Sequence, residues 1–200
     1  KSFDTQFKYI ISTLHLLSNT EKSSIFEDIL NHISKNNFML QPYTKLAVIL
    51  IEVFDEFKNI FFKTNNNLFA DFTKFDFSVA TSHDELCIQN KHKDEINSQI
   101  IFFTSTMIDL EEFNKIEQYL IALQEYIYAH ILIVEQYKIL EFITNIYKNI
   151  AIICIKTNHI FIDLIKIHVD TILQLKEDKT INRKIIFNHM DVNDILEKSR

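Results

Sequence analysis

The chain has 200 residues, of which 47% are hydrophobic and 24% charged, and its formal net charge is -6. At this length roughly 70% of the unfolded surface is buried on folding, so the apolar content excludes disorder for want of a core. The acidic balance, relieved only by the short run Lys91-His92-Lys93, predicts no nucleic-acid partner, because counterion-release binding needs clustered Lys and Arg.

In chain order, Phe3, Phe7, Ile10, Ile11, Leu14 and Leu17 recur at three- and four-residue spacing and predict a first helix. Ser18, Asn19 and Thr20 break it. Ser24 and Glu27, in capping-box spacing, open a second helix carried by Phe26, Ile29, Leu30 and Ile33. Pro42 suits the first turn of a third, since a proline lacks the N–H that would be unpaired there. Leu46, Ile49, Leu50, Val53, Phe54, Phe57, Ile60 and Phe61 then predict one long helix.

Asn65-Asn66-Asn67 reads as the strongest break in the chain, and 68–80 mixes two- and three-residue spacings among its phenylalanines. Ser82 with Glu85 is a further capping box, and the polar window 89–95 predicts a turn or loop before helical spacing resumes at Ile96, Ile100, Phe103 and Met107. Asp109 and Glu112 are expected to cap a helix over about 110–137, whose heptad seam runs from Phe113 through Ile116, Leu120, Leu123, Ile127, His130 and Val134. This segment is apolar nearly all round, so it is predicted to be the central helix. The seam changes register near 137–140, and mean helix lengths favour a break there. Ile143, Ile146, Ile150 and Ile153, then 160–175, then Ile185, Ile186, Val192, Ile195 and Leu196 continue the helical pattern.

The expected fold class is therefore all-α: a multi-helix bundle or a short helical-repeat (HEAT-like) array of about seven to nine helices. No fixed sequence period of roughly 30 to 50 residues runs through it. The chain reads as a single helical domain over 1–200, with a possible sub-boundary at 65–95. Because it begins at Lys1 rather than Met, it is expected to be a fragment of a larger protein.

The sequence contains no glycine, one proline and two arginines, Arg183 and Arg200, against an excess of Ile, Asn, Lys, Phe and Tyr that matches AT-rich codons. Phosphate-cradling loops and the strained nucleophile turn of α/β-hydrolases need glycine, so P-loop, Rossmann, kinase and hydrolase readings fail together. Helices would have to end on Asn or in solvent. Two cysteines, Cys87 and Cys154, and no Asn-x-Ser/Thr acceptor favour an intracellular location, cytoplasmic or nuclear. The longest charge-free apolar runs are too short to span a bilayer, so no membrane span is expected.

His83, Cys87 and His92 have metal-ligand chemistry, but without paired Cys-x-x-Cys or His-x-x-x-His spacing they predict no metal site, and no cofactor is implied. His130, among Tyr126, Tyr128 and Tyr137, is the candidate centre for a helical enzyme or regulatory domain with a dispersed site; His159 and His168 read as core histidines. Twelve of the 18 phenylalanines precede residue 78. Phe57, Phe61, Phe62, Phe69, Phe72 and Phe75 are the candidate partner-binding set if they face outward, and a packed core if they face inward. The expected function is a non-enzymatic scaffold or adaptor binding other protein chains, with a peripheral lipid-binding bundle and a dispersed-site domain as the alternatives.

Overall fold

The computed structural model describes residues 3–71, 82–157 and 159–199. Among the described residues there are nine α-helices and no strand: α1 (Phe3–His15), α2 (Asn19–Ile33), α3 (Leu40–Val53), α4 (Asp55–Asp71), α5 (His83–Asp109), α6 (Phe113–His130), α7 (Tyr137–Thr157), α8 (Ile162–Leu173) and α9 (Arg183–Lys198). The all-α multi-helix expectation is met. None of these helices is long and apolar enough to cross a membrane.

Most helices pack on the helix two places along, α1 on α3, α3 on α5, α5 on α7, α7 on α9, and α2 on α4, α6 on α8, and from α5 onward each also packs on its sequence neighbour. Partners two places apart run in the same direction. Glu141 meets Lys184 and Lys148 meets Asp191, both pairs 43 residues apart, so α7 and α9 advance together. Phe113 against Phe161 and Gln124 against the carbonyl of His168 show the same for α6 and α8. This is the pattern of stacked helical hairpins, where every hairpin buries its apolar face on the next. The offset between equivalent contacts is 43 for α7 and α9, 44 for α6 and α8, 48 for α5 and α7 and 54 for α4 and α6. A drifting offset explains why no fixed period is visible in the sequence.

Several expected boundaries move. The start of α2 is Ser18, whose side chain accepts from Glu21 N–H while the Glu21 carboxylate accepts from Ser18 N–H, a capping box six residues before the one expected. The expected long third helix is two, because Phe54 takes an extended conformation (φ -125°, ψ 100°) that buries its ring 4.9 Å from Phe57. Asn65-Asn66-Asn67 is no break: α4 runs through it. There the buried Asn65 amide donates to the Tyr119 hydroxyl at 2.7 Å and that hydroxyl donates to Asn66 Oδ1 at 2.9 Å, tertiary bonds that outweigh a weak local propensity. The window 89–95 is likewise helical. Ser82 caps α5 by accepting from Glu85 N–H, Ile96, Ile100, Phe103 and Met107 anchor its second half in the core, and Lys91, His92 and Asp94 lie on its solvated face.

The helix expected over 110–137 ends at His130, and Leu132, Ile133 and Val134 stand exposed in the connection to α7. The centre of the molecule is α7 instead. It buries ten side chains, Leu140 to Ile155, and packs against α5, α6, α8 and α9. Nor does a chain without glycine have to end its helices on Asn. After α5, Glu111 adopts φ 57°, Glu111 N–H bonds to Ile108 O at 3.0 Å and Glu112 N–H to Met107 O at 2.9 Å, the paired bonds of a Schellman turn. A side chain in the left-handed region costs roughly 1 kcal/mol that a glycine would not.

Candidate functional site: a buried Tyr-His-His cluster and the groove beside it

Four helices each contribute one polar group to a common interior point. Gln124 is on α6, Tyr147 on α7, His168 on α8 and His189 on α9. His189 falls on the buried stripe Ile185, His189, Val192, Leu196, which is why its ring points inward. It is fully buried, and its ring stacks on that of Tyr147 with centroids 5.4 Å apart. The Tyr147 hydroxyl is 3.3 Å from His168 Nδ1. Gln124 closes the cluster, its amide donating to the His168 carbonyl at 3.2 Å and its oxygen lying 3.3 Å from His189 Nε2.

The bonding around His189 is contradictory in its neutral form. Nδ1 lies 2.9 Å from Ile185 O and so carries the hydrogen. Nε2 of the neutral ring then turns a lone pair to Gln124 Oε1, which is also an acceptor. Protonating the ring would satisfy both oxygens, and turning the amide would satisfy the ring at the expense of the bond to His168 O. Burial opposes the first route: desolvation, with a smaller contribution from the neighbouring His168, lowers His189 to about 4, while its bond to Ile185 O resists the shift. His168 is half-buried and is lowered by desolvation in the same direction.

Nothing in this cluster is activated as a nucleophile. Burial pushes the Tyr147 phenol far above its usual range and the nearby Cys154 thiol up to about 12, so both stay protonated. The arrangement brings polar side chains of four helices into contact at one buried point.

Outside it, α6 and α8 leave a groove. Ile121, Gln124, Glu125 and Tyr128 on one side and His168 and Thr171 on the other line a recess of about 230 Å³, to which the cluster contributes Gln124 and His168. A larger recess of about 570 Å³ lies over α5, α7 and α9, between Asn97, Asn145, Phe187 and the Glu141–Lys184 pair.

The phenylalanine set expected to bind a partner is divided. Phe57 and Phe61 are fully buried, Phe57 stacked on Phe26 (4.1 Å, 5°) and Phe61 packed 5.0 Å from Phe103. Phe62 is half-buried with its edge toward Phe61, and Phe69 is half-buried and stacked on Tyr119 at 3.7 Å. Phe72 and Phe75 lie outside the described residues. His130 is not in a core seam: it is half-buried at the end of α6, its Nδ1 bonded to Tyr126 O at 2.8 Å and its ring stacked on Tyr126. The His159 side chain lies outside the described residues. Cys87 is exposed with its sulfur 3.5 Å from His83 Nε2, and no group of three or more potential metal ligands occurs among the described residues.

His189, Gln124 and Tyr147 were not among the expected site residues. The signal for His189 was present, since positions 185, 189, 192 and 196 make one helical stripe; Gln124 carried none, because its partner is distant in sequence. No family model, curated protein or solved structure matches this chain.

Proposed function

We propose that the chain is a helical scaffold that holds another protein chain on the outer face of α6 and α8. The observation that carries this reading is the exposed apolar set at one end of that face: Tyr128, Leu132 and Val134, within seven residues of sequence, are 55%, 62% and 64% exposed. On α8, Ile167 is exposed next to the recess-lining His168. Scattered apolar residues are normal on a surface, but a run of exposed ones that starts at a recess-lining residue, Tyr128, is the usual mark of an interaction site. That Tyr147 and Cys154 stay protonated in the buried cluster further supports a structural role for the polar groups of this half.

The test is positional. A photo-crosslinking benzoylphenylalanine is placed at Leu132 or, as control, at Asp28 on the exposed side of α2, and the full chain is irradiated in its native extract. Adducts to another chain from position 132 and not from position 28 are expected. Equal labelling at both positions, or at neither, refutes the proposed face.

A further inference from the structure

We infer that a row of asparagines across α5, α7 and α9 binds an extended polypeptide segment of another protein through its main chain, in the recess of about 570 Å³ that these helices line. The site lies on other helices than the α6–α8 groove and stands independently of that reading.

The row follows from the stacking. α7 and α9 run parallel at an offset of 43 residues, fixed by Glu141–Lys184 at 2.9 Å and Lys148–Asp191 at 3.1 Å. Residues 141, 145 and 148 share one face of α7, and 184, 188 and 191 share one face of α9. Asn145 and Asn188 therefore occupy equivalent positions, with an ion pair one turn to either side. Asn97 on α5 is the next member, its Oδ1 lying 3.5 Å from Asn145 Nδ2. All three line the recess, as does Asn90, two turns earlier on α5. Asparagines are four of the eleven lining residues against 17 of 200 in the chain, so composition alone does not place them there.

The chemistry of a carboxamide decides what such a row recognises. Each offers N–H donors and a carbonyl acceptor without net charge, the complement of a peptide group, which presents one carbonyl and one N–H. These amides are not used up inside the fold. The 3.5 Å contact between Asn145 and Asn97 is at the outer limit of a hydrogen bond. Among the described residues the side chains of Asn90 and Asn188 have no hydrogen-bond partner.

Spacing and surroundings agree with an extended chain. Packed helices stand roughly 8–10 Å apart, and three residues of extended chain cover about 9–10 Å, so every third peptide group meets the next helix of the row. The two ion pairs hold α7 and α9 in register before the ligand arrives, which lowers the ordering cost of binding. Phe187, beside Asn188 and 57% exposed, offers a contact for an apolar side chain of the segment. Lys138 is an exposed cation with no ion-pair partner among the described residues, whereas Glu141 is taken by Lys184 and Asn182. With three lysines to two acids along the lining, the charged side chain the segment brings is acidic.

The probe is a phage-displayed library of random linear dodecapeptides, panned on the full chain with the Asn145→Ala/Asn188→Ala chain as the subtracting bait. Enrichment of peptides that carry an acidic and an apolar residue is expected. An enriched peptide, labelled with fluorescein, should bind the double variant about tenfold more weakly in anisotropy titration. It should lose affinity to a similar degree when N-methylated at every third residue in one of the three possible registers, which removes main-chain donors. Asn145 and Asn188 are only half-buried, and an unchanged thermal melt shows that the variant folds; if the melt shifts, the N-methyl series on the unaltered chain decides alone. No enrichment over the subtracting bait, equal affinity for a normally folded double variant, equal affinity across all three N-methyl registers, or gain of helix by the bound peptide in circular dichroism overturns the inference and leaves the α6–α8 reading untouched.

Discussion

Between α2 and α5 the interior is rich in phenylalanine: Phe26, Phe54, Phe57, Phe61, Phe102 and Phe103 are all buried, and the rings meet stacked, tilted or edge to face. Between α6 and α9 it is isoleucine around a polar centre, where Tyr147, His168, His189 and Gln124 meet. The two halves share one continuous core and one stacking pattern. They differ in what holds neighbouring hairpins in register. Ring stacking is indifferent to pH and worth roughly 0.5–1.5 kcal/mol per pair beyond area burial. A buried histidine between acceptors is conditional on its protonation state. The carboxy-terminal half should therefore be the one that responds to solution conditions.

The strongest test of that contrast lies in the aromatic half. Phe57→Ala removes a fully buried ring from its stack on Phe26 and is expected to cost about 3–5 kcal/mol of stability. Urea denaturation should give the same loss at pH 7 and pH 5. A loss that depended on pH would break the comparison.

Acidification is the matching test of the other half. A histidine lowered on folding binds its proton more readily in the unfolded chain, so its contribution is fully present above pH 6.5 and disappears as pH falls toward about 4. From those two limits the loss is roughly 3 kcal/mol. Hydrogen exchange should show α8 and α9 opening first as pH falls, with α2 and α4 following only at global unfolding. His189→Phe keeps a ring against Tyr147 and should flatten this part of the pH profile while lowering stability at pH 7; an unchanged acid slope in that variant would remove His189 from the explanation.

The smallest effect is at the joint between the halves. Glu111 holds a positive φ in the turn between α5 and α6, so Glu111→Gly is expected to raise stability by about 1 kcal/mol. A thermal melt shifted downward would show that the Glu111 side chain contributes something beyond its backbone strain.

How far the sequence could be read varies residue by residue. Pro42 in the first turn of α3 and the cap at Ser82 follow from rules acting within one turn of helix, and they hold. Phe57 and Phe61 sit at helical spacing that fits either an exposed stripe or a core; only the approach of Phe26 and Phe103 decides for the core. Asn65 and Asn66 look like a break because local propensity is weak there, and they are helical because Tyr119 bonds to both. The buried cluster was the least legible feature, its members lying 21 to 65 residues apart.

By itself the amino-acid sequence determined that this is a helical protein with a large apolar core, because 3.6-residue periodicity and the absence of glycine act locally and need no knowledge of partners. Only the tertiary structure decided that α7 and not 110–137 is the central helix, and that the hairpins stack with a drifting offset. It alone brought two histidines, a tyrosine and a glutamine from four helices to one point. Those features depend on which helix faces which, and periodicity within one helix specifies the stripe that turns inward but not the neighbour that meets it.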